Sequence, residues 1–232
     1  MEQLPIYISI VFILITILTI ALLYNATNYS KPVIITVLLW LALQGAISLT
    51  GFYTVTNVMP PRFALLLLPP IILIAIMFFS KKGKQAMDGY NVKQLTLLHI
   101  VRIAVELGLY WLYLHKAIPG IMTFEGRNFD ILCGLTAPLV YYFGYVKNTL
   151  SKSVLIAWNI VCLLLLANIV VMAVLSAPLP IQQFGFNQPN IALLYVPFIW
   201  LPCGIVPVVL FAHMVALRRL LVKKASQVWI WL

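Results

Sequence analysis

Charge is what this chain has least of. Only 9% of its residues are charged, against about 25% in ordinary soluble domains, while 63% are hydrophobic and the mean hydropathy is +1.05. That scarcity excludes a soluble globular domain and leaves an integral membrane protein. Cysteine is scarce too. Cys133, Cys162 and Cys203 all lie in apolar segments; their odd number, wide spacing and lack of a CxxC argue against a disulfide framework or a zinc cluster and predict three small buried hydrophobes. HExxH, GxSxG and a Walker loop are absent, which removes the simplest readings as a zinc protease, a serine hydrolase or an ATPase. The last apolar segment holds no lysine for a retinal Schiff base. No cofactor and no metal site is expected, and the sequence leans away from an enzyme.

The net charge of +10 does not indicate nucleic acid, because no basic domain exists to bind it and membrane proteins gather Lys and Arg in cytoplasmic loops. Seven segments approach the roughly 20 residues that a bilayer core requires. They lie near 5–24, 32–54, 63–79, 94–114, 131–146, 154–176 and 191–217, so residues 1–217 read as one transmembrane domain and 218–232 as a basic and aromatic interfacial tail. With the N-terminus outside, eleven Lys and Arg residues fall on the cytoplasmic side and three, Arg62, Lys116 and Arg127, on the other. The positive-inside rule then gives an all-α, seven-transmembrane-helix bundle with its C-terminus in the cytoplasm. Two glycosylation sequons, at Asn25 and Asn28, conflict with this orientation; the charge count outweighs so short a motif. Short loops and the lack of a soluble domain point to a bacterial inner membrane.

Within this apolar background, the fourth segment carries ionisable groups. At 100° per residue, His99, Arg102, Glu106, Tyr110 and Tyr113 fall within an arc of about 80° on one helix face. An ionised side chain at the bilayer centre costs roughly 2.5 to 3.5 kcal/mol, so this face is expected to meet the bundle interior and to mark a ligand or ion pathway. Arg102 and Glu106, four residues apart, are placed to neutralise each other along the helix.

Prolines interrupt three other segments: Pro69 and Pro70 in the third, Pro138 in the fifth, and Pro197, Pro202 and Pro207 in the seventh. Each interior proline kinks its helix and frees the carbonyl four residues earlier. At 1.5 Å per residue, the Cys203 carbonyl freed by Pro207 lies within about one helical turn of the depth of Glu106, where a guanidinium with five donors is suited to meet it. His99 and His213 both lie near the cytoplasmic ends of their segments, so His213 is a candidate partner from that side. In the outer connection, Glu125, Arg127, Asn128 and Asp130 form a candidate gate, with Asn128 or Asp130 alternatively capping the next helix.

The expected function is the binding and transport of a small solute or ion, coupled to protons through Glu106, with Arg102 holding the carboxylate or an anionic solute. Membrane lipids, the solute and either a second copy or a membrane subunit are the expected partners. Two alternatives come from other classes. One is an intramembrane enzyme acting on a lipid or isoprenoid, with Glu106 or His99 as general acid or base. The other is a receptor or accessory subunit whose buried charges pair with a partner.

Overall fold

A computed structural model describes residues 4–222, and every regular element among them is helical. In chain order these are α1 (Ile6–Ala26), α2 (Lys31–Leu49), α3 (Ala64–Phe79), α4 (Lys81–Gly89), α5 (Val92–Leu98), α6 (Val101–Leu114), α7 (Ile131–Val140), α8 (Lys152–Ser176) and α9 (Val206–Leu221). Wider π-type turns extend α7 through Tyr141–Val146 and precede α9 over Leu201–Ile205. Among the described residues, five helical stretches are long and apolar enough to cross a membrane, or up to six if α3 and α4, bent by 91° at Ser80, count as one span. The stretch Ile131–Val146 is apolar but shorter. Apolar helices of this length point to a membrane protein.

Local sequence accounts for several boundaries. Pro32 occupies the first turn of α2, where its missing N–H is not needed. Ser80 caps α4, its hydroxyl accepting from the Gly83 amide at 3.1 Å, and Asn91 caps α5 through Lys93 and Gln94. α4, which follows the bend and lies in the connection expected between the third and fourth segments, exposes Lys81 and Lys82 and buries Gly83 and Met87. The segment expected to cross from 191 to 217 is continuous only over Leu201–Leu221. Residues before it form a short 3₁₀ turn at Ala192–Leu194 and irregular chain, because Pro197 and Pro202 withhold the amides a helix there would use.

Tertiary bonds gather the helix ends into two clusters. At one, the Asn91 amide donates to the Ala26 carbonyl at 2.9 Å, Asn28 Nδ2 to the Gly89 carbonyl at 2.8 Å, and Arg218 to Asp88 at 2.7 and 3.0 Å. Lys31, Lys81, Lys82 and Lys93 share this end. At the other, the connection 115–130 and the segment 177–200 are tied together by Gln188 Nε2, which donates to the Tyr113 and Ile118 carbonyls, and by the Ala117 carbonyl, which accepts from Ile191 and Ala192. Arg127 also belongs to this end, where its carbonyl accepts from Asn168 at 2.8 Å. The tail was expected over 218–232; its Lys223, Lys224, Trp229 and Trp231 lie outside the described residues.

The stretches Val92–Leu114 and Leu201–Leu221 form the interior, being far more buried than the other three long spans. Helices α1, α7 and α8 surround them. Two glycines set close approaches here. Gly108 of α6 faces the Phe12 ring of α1, and a Cβ at Gly134 of α7 would stand 3.0 Å from the Ile103 amide nitrogen of α6.

The three cysteines do not share one fate. Cys133 of α7 and Cys162 of α8 form a disulfide with Cα atoms 5.8 Å apart, and only Cys203 is free and buried. This corrects the expectation of three isolated thiols: 29 residues separate the pair in sequence, but α7 and α8 meet at this point, also joined by Trp158 Nε1 donating to Thr136 Oγ1 at 2.9 Å.

Two outcomes are expected. Gly134→Val should lower stability by about 1–3 kcal/mol through overpacking, whereas Gly89→Ala, which has open space around it, should change it by less than about 1 kcal/mol; thermal unfolding in detergent measures both. Alkylation of the denatured, unreduced chain should label Cys203 alone, and reduction should expose all three thiols to mass spectrometry.

Candidate functional site

The polar face of α5 and α6 does turn inward: His99, Arg102 and Glu106 are each no more than 2% exposed. Tyr110 and Tyr113 are half-buried and continue the face toward the 115–130 connection, with the Tyr110 ring 4.9 Å from Phe124. Near His99, the amides of His99, Ile100, Arg102 and Ile103 bond three residues back rather than four. That tightened turn separates α5 from α6 at the level of the charges.

Arg102 is the hub, and its partner is not Glu106. Its Nε donates to Asp130 Oδ2 at 2.6 Å and its Nη2 to Asp130 Oδ1, a two-pronged contact with a carboxylate 28 residues away. Nη2 also donates to the Cys162 carbonyl at 3.2 Å, and Nη1 to His213 Nε2 at 3.2 Å. A guanidinium carries five N–H groups and no acceptor, so these contacts use most of its capacity. The expected pairing of Arg102 with Glu106 along the helix is therefore replaced by a longer-range one, because the end of the 115–130 connection enters the bundle and offers a carboxylate in better geometry.

The direction of the Arg102 bond fixes the histidine. Because arginine can only donate, His213 Nε2 must present its lone pair, and Nδ1–H then donates to Asn159 Oδ1 at 2.9 Å. Asn159 Nδ2 passes on to the Leu155 carbonyl at 2.8 Å. The result is one directed chain through Asp130, Arg102, His213 and Asn159, drawn from α6, α7, α8 and α9. His99 stacks on His213 with ring centroids 3.8 Å apart, and Trp158 packs edgewise on His99 and at a tilt of 58° on His213. His99 Nδ1 has no partner among the described residues.

Glu106 is held from the loop. Asn128 Nδ2 donates to Glu106 Oε1 and to the Met122 carbonyl, the latter at 3.0 Å, while Asn128 Oδ1 accepts from the Asp130 amide at 3.1 Å. Glu106 Oε2 is buried and without a partner among the described residues. The outer gate thus divides. Asn128 and Asp130 are buried members of the core network, whereas Glu125 and Arg127 are exposed. Asp130 occupies the N-terminal boundary of α7 without capping it, since its carboxylate is committed to Arg102.

Cys203 and Pro207 are not part of this cluster. The carbonyl that Pro207 leaves without an amide is met by Trp40 Nε1 of α2 at 2.9 Å, not by Arg102. With Pro207, Cys203 instead lines an apolar crevice on the side of α2 and α3. Asn159 and Trp158 belong to the site and the sequence reading passed over them; the signal available was a lone amide in the otherwise apolar stretch Leu155–Leu166. No group of three or more His, Cys, Asp or Glu among the described residues is placed to hold a metal.

Fold and site define an all-helical protein of membrane character whose interior helices are joined by a buried ionic and amide network. Residues 60–221 match the model of a family described as "Domain of unknown function (DUF8737)", and the chain belongs to that family. The match contains every residue of the network. No curated protein and no solved structure matches the chain.

Asp130→Asn leaves Arg102 as a buried cation without its counter-charge and should cost about 3–5 kcal/mol. Glu106→Gln keeps an oxygen for Asn128 and should cost less than about 1.5 kcal/mol. Unfolding of the two variants in one detergent would rank them; a larger loss at Glu106 would contradict the assignment of Arg102 to Asp130.

Proposed function

We propose that this is a seven-span protein of a bacterial inner membrane, N-terminus outside, that takes up a proton at Glu106 and couples it to the movement of a small solute or ion. One observation carries the reading. Glu106 is a buried carboxylate in no ion pair among the described residues, held by one neutral amide and bare at its second oxygen. An uncompensated buried charge is costly, and a proton is the smallest ion that can remove it. Supporting it are the interruption between α5 and α6 at His99 and the π-type turns that open α9, since broken helices beside buried ionisable residues recur at transporter binding sites.

The assignment of roles differs from the simplest one. Arg102 is engaged on three sides, so it positions Asp130 and His213 and does not serve as the solute's anchor. His99, with a free ring nitrogen stacked on His213, is the group that would pass a proton toward the lysine-rich end. Asn128 ties Glu106 to the connection 115–130, so release of that bond is the movement through which proton uptake would reach the outer face.

A second reading is favoured by the same saturation of Arg102: a structural or accessory subunit in which the network only joins helices. Proton entry separates them. Purified protein in liposomes loaded with a pH-sensitive dye, under an imposed pH gradient with potassium and valinomycin, should acidify the lumen faster than protein-free liposomes. Glu106→Gln should return the rate to that of protein-free liposomes while elution and unfolding temperature stay near wild type. An unchanged rate in that folded variant would remove the coupling role, and no rate above background in wild type would favour the accessory reading.

A further inference from the structure

The crevice that holds Cys203 and Pro207 lies outside the polar network and has its own architecture. Helices α2 and α3 scarcely touch each other; the π-type turn and α9 form the wall behind the gap between them. The resulting space is about 400 Å³, apolar, and open on one side. Its depth comes from residues that cannot fill it: Pro69 and Pro70 of α3, and Pro207 of α9. Trp40 closes the inner end by donating to the Cys203 carbonyl.

From Lys31 to Trp40 along α2 is about 14 Å, and from Pro69 to Phe79 along α3 about 15 Å, at 1.5 Å per residue. One leaflet of a hydrocarbon core of about 30 Å has that depth. The crevice therefore runs from the helix ends to mid-bilayer and stops. At its mouth the charge is of one sign. Lys31 precedes the lining residue Pro32, and Lys81 and Lys82 follow α3 just past the lining residue Met77; all three lysines are exposed. The carboxylate described at this end, Asp88, is engaged by Arg218 and does not balance them.

We propose that this crevice is a binding site for one anionic phospholipid, with an acyl chain lying between α2 and α3 against Pro207 and Trp40, and the phosphate held by Lys31, Lys81 and Lys82. An apolar slot one leaflet deep accepts a chain, and basic residues at headgroup level select a negative phosphate. A transmembrane helix would span both leaflets and meet the Trp40 closure halfway. This site is independent of the proton reading, because none of its residues belongs to the Glu106 network.

Protein reconstituted in nanodiscs of equal phosphatidylglycerol and phosphatidylcholine, matched in acyl chains, should retain phosphatidylglycerol preferentially when released into the gas phase for native mass spectrometry. Lys31→Gln with Lys81→Gln should lower that retention about thirtyfold, the loss expected of two lysines near an anionic headgroup. Thr36→Trp and Leu73→Trp, at exposed positions on the two walls, should block retention of either lipid while leaving elution and unfolding temperature unchanged. Three results would overturn the proposal: equal retention of the two lipids by wild type, unchanged retention in the tryptophan variants, or a lipid-free dimer that the tryptophan variants dissociate.

Discussion

A guanidinium inside an apolar bundle sets the terms for everything around it. Arg102 lies on one of the two most buried stretches of the chain with a carbonyl and an imidazole in reach, and among the described residues Asp130 is the carboxylate that pairs with it. Meeting that need requires the 115–130 connection to turn inward at its end, so that Asn128 and Asp130 are buried while Glu125 and Arg127 stay exposed. It also requires α7 to lie close against α6, which Gly134 permits by offering no side chain to Ile103. The two-pronged contact is worth its desolvation cost only in such tight geometry.

Around this pair the structure separates two environments that share a helix. The face of α9 bearing His213 completes the polar chain to Asn159, while its first turn, with Pro207, forms a wall of an apolar crevice. Trp40 stands at the boundary on the crevice side, satisfying the carbonyl that proline leaves free. Polar groups freed by broken helices must be satisfied internally at membrane depth. Here the solution is a tryptophan from α2, and Arg102 and Asp130 remain committed to each other.

How much could be read beforehand follows from the range of each interaction. The inward face of α5 and α6 was legible because helical period alone puts His99, Arg102 and Glu106 together. The choice of Asp130 over Glu106 was not, since a partner four residues away looks sufficient until the connection's path is known. The disulfide was hidden for a similar reason: 29 residues and a change of helix separate Cys133 from Cys162. Asn159 was legible in principle, as a lone amide in an apolar run, but an amide can also bond back to its own helix. It does so through Nδ2 while serving His213 through Oδ1.

The sequence by itself determined the apolar helices, the polar stripe and the gathering of lysines toward one set of helix ends, because hydropathy, period and charge count are local or additive. Tertiary structure alone decided which carboxylate answers Arg102, which joins no ion pair among the described residues, and where Pro207's open carbonyl goes. Those outcomes depend on how a connection folds inward and how closely two helices approach, and no spacing along the chain encodes either distance.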